Sequence, residues 1–324
     1  MLLWIALAPL VACTGGPATG DAWSQAFDVG GETALSGVSG SGPSDVYMVG
    51  GDESTGSIWH YDGSTWALDE SAPSTDLLVW VHAFSDEEVW IVGEGGAVLR
   101  GSVGAWEPLS VGTTEPLWGV WGRSASDLWI VGGDVLEGTP LVYHWDGSTF
   151  TPEVIDEAQN DRDAKSLFKV WGIDGRVLAV GQRGLIVEHT EAGWVQRLAG
   201  PEANDDFVSL WGTSADEIVI VGGRAGARIA MPSGSDFSTR SPDVVPGLNA
   251  VSFTPDGLAL IGGANGWVGT YDPADPEAAP LAENVVDGTS DVHAIWHDGA
   301  DTAWGVAGHF TEPYFGAALV RHDP

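Results

Sequence analysis

The chain has 324 residues, with 46 acidic and 12 basic side chains and a formal net charge of −34. Such a field repels phosphate backbones and anionic lipid surfaces, so nucleic acid is excluded as a natural partner and a membrane has no electrostatic dock here. Length alone would suggest two domains, but a recurring motif and 17 tryptophans point to one array of repeats sharing a continuous core.

The amino terminus comes first. Met1 to Ala12, MLLWIALAPLVA, is apolar and too short to span a bilayer, but long enough for the apolar region of an export signal, although no Lys or Arg precedes it. Leu10-Val11-Ala12-Cys13 resembles a bacterial lipobox, and Cys13 is the sole cysteine, so it has no disulfide partner. The expectation is a signal peptide over 1–12, lipidation at Cys13 and a flexible small-residue tether over 13–21. A plain secretory signal with an incidental cysteine is the alternative. The location that follows is the bacterial outer membrane or cell surface, or a secreted or periplasmic soluble protein if the thiol is not lipidated.

From residue 22 to 324 the chain repeats. Leu117 to Gly132, LWGVWGRSASDLWIVG, returns from Leu35, Leu78, Leu167, Phe207, Leu248 and Val292. Seven copies about 40 to 45 residues apart, rich in β-branched and aromatic residues, predict seven propeller blades of four antiparallel strands. The first strand carries two apolar columns: Leu35, Leu78, Leu117, Leu167, Phe207, Leu248 and Val292, and three residues later Val38, Val81, Val120, Val170, Leu210, Val251 and Ile295. The second strand, such as Leu128-Trp129-Ile130-Val131, is a continuous apolar run and predicts burial on both faces. Glycine ends it in six copies, as at Gly93 and Gly132, where a turn or a close backbone approach is expected.

The third strand runs into an Asp-Gly hairpin at Asp62-Gly63 and Asp146-Gly147, and the fourth begins at the aromatic that follows, Trp66 or Phe150. The last copy stops after its third strand at Val320-Arg321-His322, whereas Gly20 to Phe27 looks like a turn and a fourth strand with no first three before it. Ring closure is therefore expected, with the N-terminal strand completing the last blade and leaving no open inner edge. Pro152 to Ser166 and Met231 to Pro246 read as irregular insertions, the first with room for a short helix. Loops beyond the repeat norm often carry a protein's individual function.

The fourth copy, Leu167…Val170…Val180-Gly181-Gln182-Arg183-Gly184-Leu185-Ile186 with Gly193-Trp194, resembles the repeat of photosystem-II-assembly-factor (plant stability factor) propellers. It is also similar to sialidase-like Asp-box propellers, although Asp62-Gly63-Ser64-Thr65-Trp66 lacks the residue that pattern places between Asp and Gly. The resemblance implies a propeller and leaves the activity open, because one fold hosts many.

Sites follow from the columns. A sialidase needs clustered arginines and a tyrosine nucleophile, yet Arg123, Arg176, Arg183 and Arg224 share no column. Neither a phosphate loop nor a nucleophile elbow is present. His60, His144, His189 and His322 occupy one column on the third strand and are spread around the ring. His293 and His297 have helical spacing but lie on a strand, where it does not converge. Asp287 to Asp291 and Asp298 to Asp301 are acidic turns of the kind that can bind calcium, though such turns are commoner without it. No cofactor, metal site or catalytic set is expected. The column His82, Trp121, Trp171, Trp211 and Trp296 is the candidate ligand-binding set, an aromatic rim for a sugar or peptide; the competing role is wedges packed between blades. Trp118, Phe168 and His293 approach the central channel. The expected function is a non-catalytic, monomeric envelope lipoprotein that binds a protein or glycan through one face of the ring. The alternatives are a carbohydrate hydrolase or lyase with its site at the channel mouth, and an assembly factor for an envelope complex.

Overall fold

The computed structural model describes residues 22–30, 33–200, 203–285, 290–310 and 313–323. The signal segment 1–12, Cys13 and the tether 13–21 lie outside them. Seven four-stranded sheets follow one another along the chain. Their first strands touch in sequence and the ring closes between the last sheet and the first, so these strands surround the axis. The last blade joins Asp291–His297, Thr302–His309 and Phe315–His322 to the N-terminal strand Trp23–Phe27. The closing pairs are antiparallel, Trp23 opposite Arg321 and Ser24 opposite Val320. The protein is thus a seven-bladed β-propeller closed as its sequence predicts.

The core is not central. Seven apolar clusters each lie between two neighbouring blades. Second strands such as Glu88–Gly93 and Asp127–Gly132 feed the clusters on both sides and bury every residue after the first. Each fully buried aliphatic side chain there contributes ~1.5–3 kcal/mol. At the ends of these strands the glycines answer to crowding. Gly93 is extended (φ −168°), and a Cβ on it would overlap the Leu77 carbonyl; one on Gly132 would overlap that of Pro116. In the hairpins, Asp62 Oδ1 accepts the Ser64 hydroxyl at 2.7 Å and the Thr65 and Ser64 amides at 2.8 Å each, which fixes the turn and lowers the Asp62 pKa to about 2.

One expectation changes and one is met. Met231 to Pro246 is not an irregular insertion, because Arg228–Ser233 and Asp236–Arg240 form the outer hairpin of the fifth blade. Pro232 lies past Ala230, where the ladder to the second strand ends, so its missing N–H interrupts no bond there. Pro152 to Ser166 holds a single 3-10 turn, Glu157–Gln159. Among the described residues no helix is long and apolar enough to cross a membrane.

Candidate binding site at the channel mouth

One irregularity recurs in all seven blades. In the third, Leu117 pairs with Gly132 and Gly119 with Val131, so Trp118 is an extra residue with no partner in the second strand. The same bulge leaves out Ser36, Val79, Phe168, Val208, Asn249 and His293 in the other six. A bulge breaks the two-residue alternation and re-aims the side chain. All seven bulge residues line one cavity of about 400 Å³. Because every blade contributes one, the cavity lies on the ring axis. Its volume falls in the ~300–1,000 Å³ range of small-ligand sites.

The ring is chemically uneven. Val79, Trp118, Phe168 and Val208 make an apolar arc, with the Trp118 and Phe168 rings edge to face at 6.2 Å. Ser36, Asn249 and His293 make a polar one. Trp118 Nε1 donates to the Gly133 carbonyl at 2.9 Å, which fixes the indole. His293 Nε2 lies 3.1 Å from the Gly308 carbonyl and must carry the proton of that bond, and its ring packs on Phe310 at 4.3 Å. Burial lowers its pKa to about 4, so it is neutral at neutral pH.

Below the bulges sit Trp80 and Lys169. Lys169 is 4% exposed, its ammonium lies over the Trp80 indole, and its Nζ has no hydrogen-bond partner. Burial holds its pKa well below the ordinary lysine value. His82 is coupled to it: burial first, then the Lys169 charge, push the imidazole down to about 3.

The cavity also touches two carboxylates, and both hold turns. Asp206 Oδ1 accepts the Arg183 amide at 2.9 Å and Oδ2 pairs with Arg224. Asp291 Oδ1 accepts the Asn265 amide at 2.9 Å. Arg183 and Asn265 are left-handed residues (φ 56° and 59°) at the centres of the tight turns Gln182–Gly184 and Ala264–Gly266, so these bonds secure strained backbone at the mouth. Among the described residues no three His, Cys, Asp or Glu side chains are grouped to hold a metal ion.

The predicted column lies three residues further along the same strands, about 10 Å from the bulges. Trp171 and Trp296 are buried, and Trp121, Trp211 and His82 are half-buried. Trp121 packs against the fourth blade, where a Cβ on Gly172 would come within 2.7 Å of its ring; Trp296 does the same to Gly40. Trp171 and Trp211 are 5.6 Å apart between blades four and five. None of the five lines the axial cavity, and only His82 feels it, through Lys169. Trp118, Phe168 and His293, expected near the channel, do line it. Val79, Val208, Asn249, Ser36, Trp80 and Lys169 were not singled out from sequence. One available signal was the column two after the first leucine, Gly37, Trp80, Gly119, Lys169, Ser209, Ala250 and Ala294, where two large residues stand among five small ones.

The other predicted groups serve the frame. His60 and His144 bind Asp45 and Asp127 at 2.8 and 2.7 Å, tying third strand to second. His297 is 7% exposed and bonds Asp323, at the far end of its strand from His293. Asp298 accepts the amides of Ala300 and Thr302 within its own turn. Asp287 to Thr289 lie outside the described residues.

Fold and site together define a closed seven-bladed propeller with an axial cavity at one mouth. No family model matches the chain. Immune protein Tsi7 of Pseudomonas aeruginosa is 35% identical over 82 residues, 25% of this chain and 26% of that protein, so the chain spans about a quarter of the length of the curated relative it matches. Solved propellers are similar over nearly the whole chain. YCF48 bound to a D1 peptide matches at 14% identity, 94% of this chain, 97% of that one and a TM-score of 0.68. YCF48 from Cyanidioschyzon merolae matches at 16% identity, 94% and 99% coverage and 0.68. The WD40 propeller of Doa1 matches at 12% identity, 94% and 96% coverage and 0.70. At these identities the likeness concerns the fold.

Proposed function

We propose that this protein is a non-catalytic binding module that holds a protein partner at the mouth of its axial cavity, as a scaffold or assembly factor. The observation that carries this reading is the sevenfold bulge. It turns one residue from each blade onto a common cavity, and those seven residues differ in chemistry while the columns one before and two after them stay apolar. A frame held constant around a varied ring suits recognition. That a YCF48 propeller is bound to a D1 peptide supports a polypeptide ligand over a glycan. The turn-holding bonds of Asp206 and Asp291 favour binding over a hydrolase or lyase, which needs carboxylates free to exchange protons. For location, the lipobox-like Leu10 to Cys13 supports a lipid anchor at the bacterial outer membrane or cell surface.

The test is site-specific photo-crosslinking in envelope extracts. A photoreactive residue at 118 or 168 should capture a partner that one at 121 does not. A Trp118→Ala/Phe168→Ala double variant should lose at least tenfold in capture. Trp121→Ala should instead cost about 3–5 kcal/mol of stability, while its folded fraction still binds. Capture from position 121 alone would place the binding face elsewhere. For the anchor, Cys13→Ala should move the protein from the membrane to the soluble fraction, and unchanged retention would refute lipidation.

A second reading, as an immune protein, is favoured by the 82-residue likeness to Tsi7. A captured partner that is toxic to cells lacking this chain would select it.

A further inference from the structure

The chain's two lysines are built in opposite ways. Lys165 is partly exposed and its ammonium is 2.7 Å from Asp163. Lys169 is buried on the wall of the axial cavity and its ammonium has no hydrogen-bond partner. A buried amine of this kind is costly, and an apolar residue of similar length would remove the cost. The fold makes room for it nevertheless. Lys169, on the fourth blade, meets Trp80 of the second, and the blade between them carries Gly119 at the equivalent position. A Cβ on Gly119 would lie 3.2 Å from the Lys169 Cα.

The neighbouring charges do not neutralise it. Asp206 is paired with Arg224 and the Arg183 amide, and Asp291 with the Asn265 amide. His82 and His293 are themselves held neutral by burial. One unpartnered amine therefore stands at the cavity wall, against Trp80 and among the lining residues Trp118 and Phe168.

We propose that the axial cavity takes an apolar ligand bearing a single carboxylate, and that Lys169 is its counter-ion. This rests on the mouth being the binding face and narrows the chemistry of what enters it. One cation matches one negative charge. A phosphate dianion would need a second, and Arg224 is committed to Asp206. The aromatic wall accepts the apolar body. The −34 field opposes an approaching anion from afar, but physiological salt screens beyond ~8 Å, so the local pair decides the bound state. Burial favours the neutral amine and a bound carboxylate favours the charged one, so binding should draw protons from solution.

The full chain is titrated by calorimetry with 3-phenylpropionate, with 3-phenylpropionamide and with the capped dipeptide acetyl-Trp-Glu-amide. An acid should bind at least tenfold more tightly than the amide. Repeating the titration in phosphate and in Tris should report proton uptake on binding. Lys169→Met should erase the preference for the acid and raise the melting temperature, since it removes a buried amine and keeps the shape. Binding of the free acid alone identifies a small-molecule ligand; binding of the dipeptide alone identifies an acidic side chain of a polypeptide. Equal affinity for acid and amide, no binding of either acid, or a preference that survives Lys169→Met would overturn the proposal. So would a lower melting temperature in Lys169→Met, which would make the amine a structural element held by Trp80. Capture from position 118 is read separately, so it can succeed when this test fails.

Discussion

On the innermost strands, two residues three positions apart do different work. Trp118 is thrown out by its bulge onto the axial cavity, while Trp121 is pressed against the glycine of the next blade. The first is therefore free to vary with the ligand and the second is constrained by packing. Protonation gives a related contrast. His82 is held neutral in the folded chain down to about pH 3, whereas an unfolded histidine takes its proton near 6.5. Between those values the unfolded state binds the extra proton, so this stabilisation is complete above about pH 6.5 and is lost as pH falls toward 3. Glu188 acts further down. Burial alone would raise its pKa, but Arg176 and Arg197 outweigh burial and lower it, so its contribution is present above the ordinary value of 4.5 and fades below it. Urea unfolding between pH 7.5 and 4.5 should show His82→Gln losing less stability on acidification than the parent. Equal slopes would mean that His82 is hydrated when folded.

Among the elements, Trp23–Phe27 matters most, because it is short and yet closes the ring. Its Trp23 indole donates to Glu283 of the sixth blade at 2.8 Å, and Arg321 on the paired strand reaches the same carboxylate at 3.0 Å. Similar ties recur on other blades, Trp106 to Asp69 at 2.7 Å and Trp194 to Glu153 at 2.7 Å. Tryptophans that look in sequence like markers of a fourth strand are thus also staples to the blade before. The acceptors lie 37, 41 and 260 residues away, beyond any local pattern. Trp23→Ala should cost about 3–5 kcal/mol. Deleting residues 22–27 should cost more, because it also exposes the edge of Phe315–His322, and the product should aggregate on heating. A deletion that melts and refolds like the parent would show that closure is dispensable.

Across the whole molecule the apolar layers are wedges between blades, so each blade is supported from both sides. Against that cohesion stands self-repulsion from a net charge of −34. Raising sodium chloride from about 20 mM to about 500 mM shortens the screening length from over 20 Å to under 5 Å. The melting temperature should therefore rise by several degrees. A flat or falling response would mean that local ion pairs such as Arg321 with Glu283 outweigh the net repulsion.

The number of blades, the doubly buried second strands, the Asp-Gly hairpins and the closing strand were legible in the sequence, because each is written in local alternation, turn chemistry or the repeat itself. The outer hairpin of blade five was hidden by its Ser- and Pro-rich composition. The bulges were hidden for a deeper reason: they exist only in the register between two strands, and one extra residue reverses which side chains face the axis. What Lys169 lacks was likewise invisible, since the absence of a counter-ion depends on how blades two to seven arrange their charges around it. Local pattern determined the ring, and contact between distant segments decided what its centre can hold.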